Sequence, residues 1–241
     1  MGTLVLDDAT IWVAGYDVTG DANQISLSAS VTELDVTTFG SGFRKRIGGL
    51  RDVQAQVAGY WHSAASGAPD PEIFPALGTA DQVMTVAPSS TEGSVAYMCQ
   101  VGKFSGQMFG QVGEAVPFSL DAMGTSREGL VRGQVLKAKG AVSSTGATGT
   151  AVQLGAVSSG QYLYATLHVF SAGTTITVVL ESDADNTFAS ATTRATFGPL
   201  TTTGGTWAAR VAGPVTDTWY RLRVTAVTGT FTVAGAAGIG S

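Results

Sequence analysis

Apolar and polar residues alternate with a period of two early in the chain. In Ile25-Ser26-Leu27-Ser28-Ala29-Ser30-Val31 the odd positions are apolar and the even ones are serine, the pattern of a strand with one face buried. The phase changes after Thr32-Glu33, where the even positions Leu34 and Val36 become apolar. A bulge or sharp bend there would re-aim the side chains and reconcile the two halves. The segment Phe39-Gly40-Ser41-Gly42-Phe43-Arg44-Lys45-Arg46-Ile47-Gly48-Gly49 places four glycines around three consecutive bases. It reads as a long exposed loop between paired strands. Alternation resumes with Val53, Ala55 and Val57 against Asp52, Gln54 and Gln56, and ends in Gly59-Tyr60-Trp61. Two long strands thus flank a basic, glycine-rich tongue over residues 39–49.

Asp70-Pro71-Glu72 is a helix start, with Asp as the cap and Pro at the first position, and Gly78 ends that helix quickly. Strands are predicted at Val83–Val86, Val95–Phe104 and Val116–Met123, with a last one inside Thr125–Lys139. The small, polar run Gly140–Thr150 reads as a linker or the first loop of a second domain. Beyond it, short apolar runs recur every 8–15 residues or so, separated by Gly, Asn-Thr and Gly-Pro, up to Thr230–Val233. That spacing predicts a second β-sandwich, of jelly-roll or immunoglobulin-like type. The expectation is a mainly β protein with one domain over 1–134, a sandwich or barrel with one short helix, and another over 135–241.

Composition sharpens this reading. Of 241 residues, 44% are apolar, 13% are charged and 32 are glycine, a mix suited to strands and turns rather than helices. So few charges suit a surface covered by neighbouring subunits, and equally a Ser/Thr-rich monomer surface. Through Gly133 fourteen acids face seven bases, a net of −7, whereas the remainder is net +2, which favours two domains with different surroundings. The single Cys99 sits in an alternating apolar run and reads as a buried structural thiol. The first residues lack the basic start and apolar run of a signal peptide. No run of about 18 apolar residues suggests a membrane-spanning helix.

Candidate chemistry is sparse. The histidines, His62 and His168, are far apart, and with one cysteine they give no zinc-ligand spacing. Asp183-Ala184-Asp185-Asn186 fails as a calcium loop, since Phe188 stands where glycine is needed and Arg194 where the closing glutamate belongs. Glu33 and Asp35 share one face of a strand with threonine neighbours, which reads as a solvated face. Arg44-Lys45-Arg46 is an isolated basic cluster within an acidic half. Trp219, Arg221 and Arg223 lie on one strand face, where arginine stems cover apolar surface or present charge to an acidic or sugar ligand. No catalytic set, cofactor site or metal site emerges, so the expectation is not an enzyme.

From Gly15-Tyr16-Asp17-Val18-Thr19-Gly20 through Ile25–Gly40, Phe43–Val53, Gly59-Tyr60-Trp61 and Pro71–Gly78, the chain resembles the tail tube (major tail) proteins of long-tailed phages. The resemblance covers roughly the first 130 residues. The segments Thr150–Gly155 and Tyr164–Val169 resemble the accessory β-domain that some of these proteins carry. The resemblance implies hexameric rings that stack into a hollow tail. By the same resemblance each subunit's strands are expected to join a continuous inner barrel through which DNA passes without specific binding. It also implies location in the virion tail after assembly in the host cytoplasm, and tape measure, tail terminator and distal tail proteins as partners. The loop carrying Phe39, Phe43, Arg44, Lys45, Arg46 and Ile47 is then expected to reach the adjacent ring. Acids among Asp17, Asp21, Glu33, Asp35 and Asp52 are expected at the lumen or ring contacts, where negative charge declines phosphate binding. A second reading is a glycan- or surface-binding module using Trp207, Trp219, Tyr220, Arg221 and Arg223.

Overall fold

The computed structural model describes residues 9–61, 74–108, 110–111, 113–208 and 210–241. It is built almost wholly of strands, as the alternation implies. The first eight are β1 (Thr10–Val13), β2 (Tyr16–Asp17), β3 (Ala22–Asp35), β4 (Arg46–Tyr60), β5 (Gln82–Ala87), β6 (Val95–Met108), β7 (Pro117–Gly124) and β8 (Val131–Val142). They are followed by β9 (Gly146–Gln153), β10 (Tyr162–Ser171), β11 (Thr175–Asp183) and β12 (Thr192–Leu200). The last four are β13 (Gly204–Trp207), β14 (Val211–Ala212), β15 (Trp219–Thr228) and β16 (Phe231–Gly240). Phe74–Ala76 forms a single 3-10 turn, followed by Gly78 at φ +81°. The predicted helix start, Asp70-Pro71-Glu72, and His62 lie outside the described residues.

Contacts divide the described chain into two interleaved units, one from Met1–Gly20, Gln82–Cys99 and Val131–Ser241, the other from Asp21–Asp81 and Gln100–Leu130. The division expected at 134/135 falls inside β8. There Gly133 and Gln134 pair with Gly238 and Ala237 of β16. A Cβ on Gly133 would stand 2.0 Å from the Ala237 carbonyl oxygen, so only glycine permits this approach. The run Gly140–Thr150, expected as a linker or the first loop of a second domain, holds the end of β8, a turn at residues 143–145 and the start of β9, and carries the chain from one sheet to the other.

In the first unit the strand order is β13-β10-β16-β8-β6-β5-β1-β2, and a second sheet runs β12-β11-β15-β9. The end strands of the longer sheet come together. A Cβ on Gly15, in the β1–β2 turn, would lie 2.4 Å from the Gly204 amide nitrogen of β13. Strand β10 is buried on both faces, so it reads as a continuous run rather than an alternating one. Leu163, Ala165, Leu167 and Val169 enter a core with Ile176, Val178, Leu180, Phe197 and Leu222 of the second sheet. Tyr164 joins a different core with Trp12, Met98, Val131 and Val135. His168 and Thr166 are likewise fully buried, and Thr85 Oγ1 lies 2.9 Å from His168 Nε2 and 3.2 Å from Thr166 Oγ1. Cys99 is buried, and burial pushes its thiol up to about 12.

The second unit is a four-strand antiparallel sheet in the order β3-β4-β7-β6, the last through residues beyond Cys99. Its registers put apolar side chains opposite one another, with Ile25, Val57 and Leu120 in one row and Leu27, Ala55 and Ala122 in the next. Val53, Ala55, Val57, Phe118, Leu120 and Ala122 are all buried. That face anchors the sheet.

Candidate assembly surface

The opposite face of this sheet is polar. Ser26 pairs with Gln56, Ser28 with Gln54 and Ser30 with Asp52, and Gln56 in turn lies opposite Asp121. The groups bond laterally. Gln56 Nε2 donates to Asp121 Oδ1 over 2.9 Å, Ser105 Oγ to Asp121 Oδ2 over 2.8 Å, and Gln54 Nε2 to Asp52 Oδ2 over 3.0 Å. Among its described side chains this wall contains hydroxyls, amides, carboxylates and the Met123 thioether but no base. Of the predicted acids, Asp52 belongs to it. Asp121 and the glutamines were not singled out from the sequence, although the polar half of the same alternation marks them.

The β3–β4 ribbon extends beyond this wall. Its backbone pairing continues to Asp35–Arg46, and Val36 N–H donates to the Lys45 carbonyl over 2.8 Å. The loop is therefore shorter than the predicted 39–49. Arg46, Ile47, Gly48 and Gly49 are strand residues. The two glycines accommodate their neighbours, since a Cβ on Gly48 would lie 3.2 Å from Val31 and one on Gly49 3.1 Å from Leu34. At the tip, Asp35 Oδ1 accepts the Thr37 amide at 2.9 Å and the Thr37 hydroxyl, and the Lys45 amide donates to Thr37 Oγ1 over 3.0 Å. Those bonds from Thr37 hold the Asp35 carboxyl below its usual range. Arg46 Nε contacts Glu33 Oε1 at 2.7 Å.

The register shifts between Val31 and Glu33, as the phase change predicted, but the extra residue is in β4. Gly49 and Leu50 stand against Thr32 alone. Because β3 gains no residue, its side chains keep alternating and are not re-aimed. Leu34 stays on the serine side, and Glu33 and Asp35 stay on the side of Ile25 and Leu27. The expected reconciliation does not occur, and the ribbon's apolar face inverts.

Apolar exposure is concentrated here. Among the described residues nine large hydrophobic side chains are exposed, and seven of them fall between Val31 and Leu50. Phe39 is 110%, Phe43 91% and Leu50 83% exposed, with Arg44 and Lys45 beside the phenylalanines. Strand β3 pairs only with β4 among the described residues, so its other edge presents unpaired backbone groups.

The remaining predicted residues are elsewhere. Asp17 belongs to the first unit, where it receives Lys139 Nζ at 2.7 Å, and the carbonyl of Asp21 accepts the Tyr60 amide at 3.0 Å. Tyr220 is fully buried, its hydroxyl within 3.1 Å of the Gly155 carbonyl and 3.0 Å of the Asp217 carbonyl, so it is no surface residue. Burial, then the Asp217 charge, pushes that phenol up to about 12. Trp207 packs its ring 5.8 Å from that of Tyr164, in a different sheet from Trp219. Arg221 lies over Phe188 at 4.1 Å and bonds Glu181 at 2.9 Å, and Arg223 reaches the same carboxylate at 3.3 Å. Both arginines thus converge on one carboxylate.

No protein-family model matches this chain, and no curated protein matches it. Among solved structures, a chain of the "Virion of native gene transfer agent (GTA) particle" is similar with a TM-score of 0.40 and 16% identity, over 50% of this chain and 92% of that one. A chain of the "Tail of empty GTA particle computed with helical refinement, C6 symmetry" is similar with a TM-score of 0.37 and 18% identity, over 46% of this chain and 80% of that one.

Proposed function

We propose that this chain is a structural subunit that assembles with its own copies into stacked rings, forming a phage tail tube through which DNA passes. The observation that carries the reading is the concentration of exposed apolar side chains on the β3–β4 ribbon. An extended two-strand ribbon with such a surface and an unpaired edge is marginal in water unless something covers it. Pairing the β3 edge with a neighbouring copy closes that edge, and rotation about an axis repeats the contact until a ring forms. Six copies to a ring is what the resemblance to tail tube proteins implies. The tip bases Arg44 and Lys45 meet an acidic partner if that partner is another copy, since the chain is net −5. The polar wall suits a conduit. Binding to DNA comes chiefly from bases that neutralise phosphates, and this wall offers hydroxyls and amides that stay hydrated.

Electron microscopy of the purified protein at increasing concentration tests the proposal. Rings or tubes are expected, and the double substitution Phe39→Ser with Phe43→Ser is expected to abolish them while leaving a folded monomer. A wild-type protein that stays monomeric under every condition, including seeding with preformed tail ends, would refute self-assembly.

A further inference from the structure

We infer that the part of the ribbon beyond the Gly49–Leu50 bulge is a clamp that seats its serine-side face on a second copy of this chain and leaves its other face in water. The inference rests on the self-assembly reading and adds a direction to it. Leu34 and Ile47 are register partners on the serine side and are 45% and 49% exposed, and Val36 continues that face at 36%. On the other face, at the same level, are Glu33, Asp35 and Arg46, with Arg46 tied to Glu33 at 2.7 Å. Nearer the body the arrangement is the reverse: Val53, Ala55 and Val57 are buried on the charged residues' side, and serines and glutamines occupy the other. Whatever covers Val53, Ala55 and Val57 therefore lies on the wrong side of the ribbon to cover Leu34 and Ile47. The distal apolar face needs a different body.

Charge points to a second copy as that body. The tip places Arg44 and Lys45 next to the exposed phenylalanines, while the chain as a whole is net −5, so another copy offers a surface of opposite net charge to these two bases. In this arrangement the distal ribbon lies against its neighbour through the side on which its own polar wall opens. The charged back stays solvated, which spares the Glu33–Arg46 pair the cost of desolvation.

Single-cysteine protection tests the direction. Cys99 is buried with its thiol held up at about 12, so it gives a silent background. Leu34→Cys, Ile47→Cys, Glu33→Cys and Asp35→Cys are labelled with a thiol reagent before and after assembly. Labelling at 34 and 47 is expected to slow by about tenfold or more on assembly, and that at 33 and 35 to stay within about twofold, since reaction follows thiolate access. If cysteine at 34 or 47 folds but blocks assembly while cysteine at 33 and 35 does not, the same face is implicated and the inference stands. Protection of 33 and 35, equal protection of both faces, or a block by all four variants would overturn the direction while self-assembly held. A wild-type chain that forms no assembly removes the underlying reading instead, so the two failures are told apart.

Discussion

His168 shows how one buried side chain ties stability to pH. Its imidazole is fully buried, Nε2 bonds Thr85 at 2.9 Å, and Nδ1 has no hydrogen-bond partner among the described residues. Burial holds its pKa down at about 3, against a smaller upward pull from Asp17. Above the ordinary value of 6.5 both folded and unfolded chains carry it neutral, so it adds no pH dependence. Between 6.5 and about 3 the unfolded chain takes up a proton that the folded one refuses. Stability then falls as pH drops, by up to about 1.4 kcal/mol per pH unit. Urea midpoints from pH 7 down to about 4 should show this slope in the wild type and lose it in His168→Leu. The Tyr220 hydroxyl is a second residue-scale test. Tyr220→Phe leaves the Gly155 and Asp217 carbonyls short of a donor and should cost about 1–3 kcal/mol, read as a lowered Tm. An unchanged Tm would mean that water replaces the phenol.

The second unit's sheet separates anchoring from display at the scale of the element. Leu120 is buried opposite Val57, so Leu120→Ala should destabilise by about 2–5 kcal/mol. Its neighbour Ser119 is on the polar face, and Ser119→Ala should change stability by no more than about 0.5 kcal/mol. Equal effects in chemical denaturation would contradict the assignment of faces. The alternation in Ile25–Val31 made both faces of this sheet legible, because a period of two needs no tertiary information. The consequence of the phase change was not legible. A bulge in either strand fits the same sequence, and only the registers Val31–Arg51 and Glu33–Gly48 place the extra residue in β4. Likewise Arg46–Gly49 looked like loop because glycine weakens strands, yet Val31 and Leu34 fill the space those glycines leave.

For the whole molecule, the charge of the tip and the absence of a base among the wall's described side chains give separable expectations. Arg44→Glu with Lys45→Glu should slow or abolish assembly, and raised salt should weaken assembly of the wild type, because exposed charges are screened within about 10 Å at 0.1 M. Salt-insensitive assembly would leave the ribbon's exposed apolar side chains and its unpaired β3 edge as the drivers. Assembled wild-type protein should retain no duplex DNA at moderate salt. Ser28→Lys with Gln54→Lys, which puts bases on the wall, should create salt-sensitive retention in a filter assay. Retention unaltered by these bases would place the wall away from the DNA path.

By itself the sequence determined that the protein is mainly β and that two long strands flank an exposed basic turn. It also determined that Cys99 is buried and where the ribbon's pattern breaks. All of these follow from side-chain alternation and turn chemistry within a few residues. Tertiary structure alone decided the rest. It closed the first unit with β10, β13 and β16 alongside β1, β2 and β5, it buried Tyr220 and tied Arg221 and Arg223 to Glu181, and it turned the ribbon's apolar face over. The physical reason is that strand pairing joins residues far apart in the chain, and the register between two strands is a property of neither one alone.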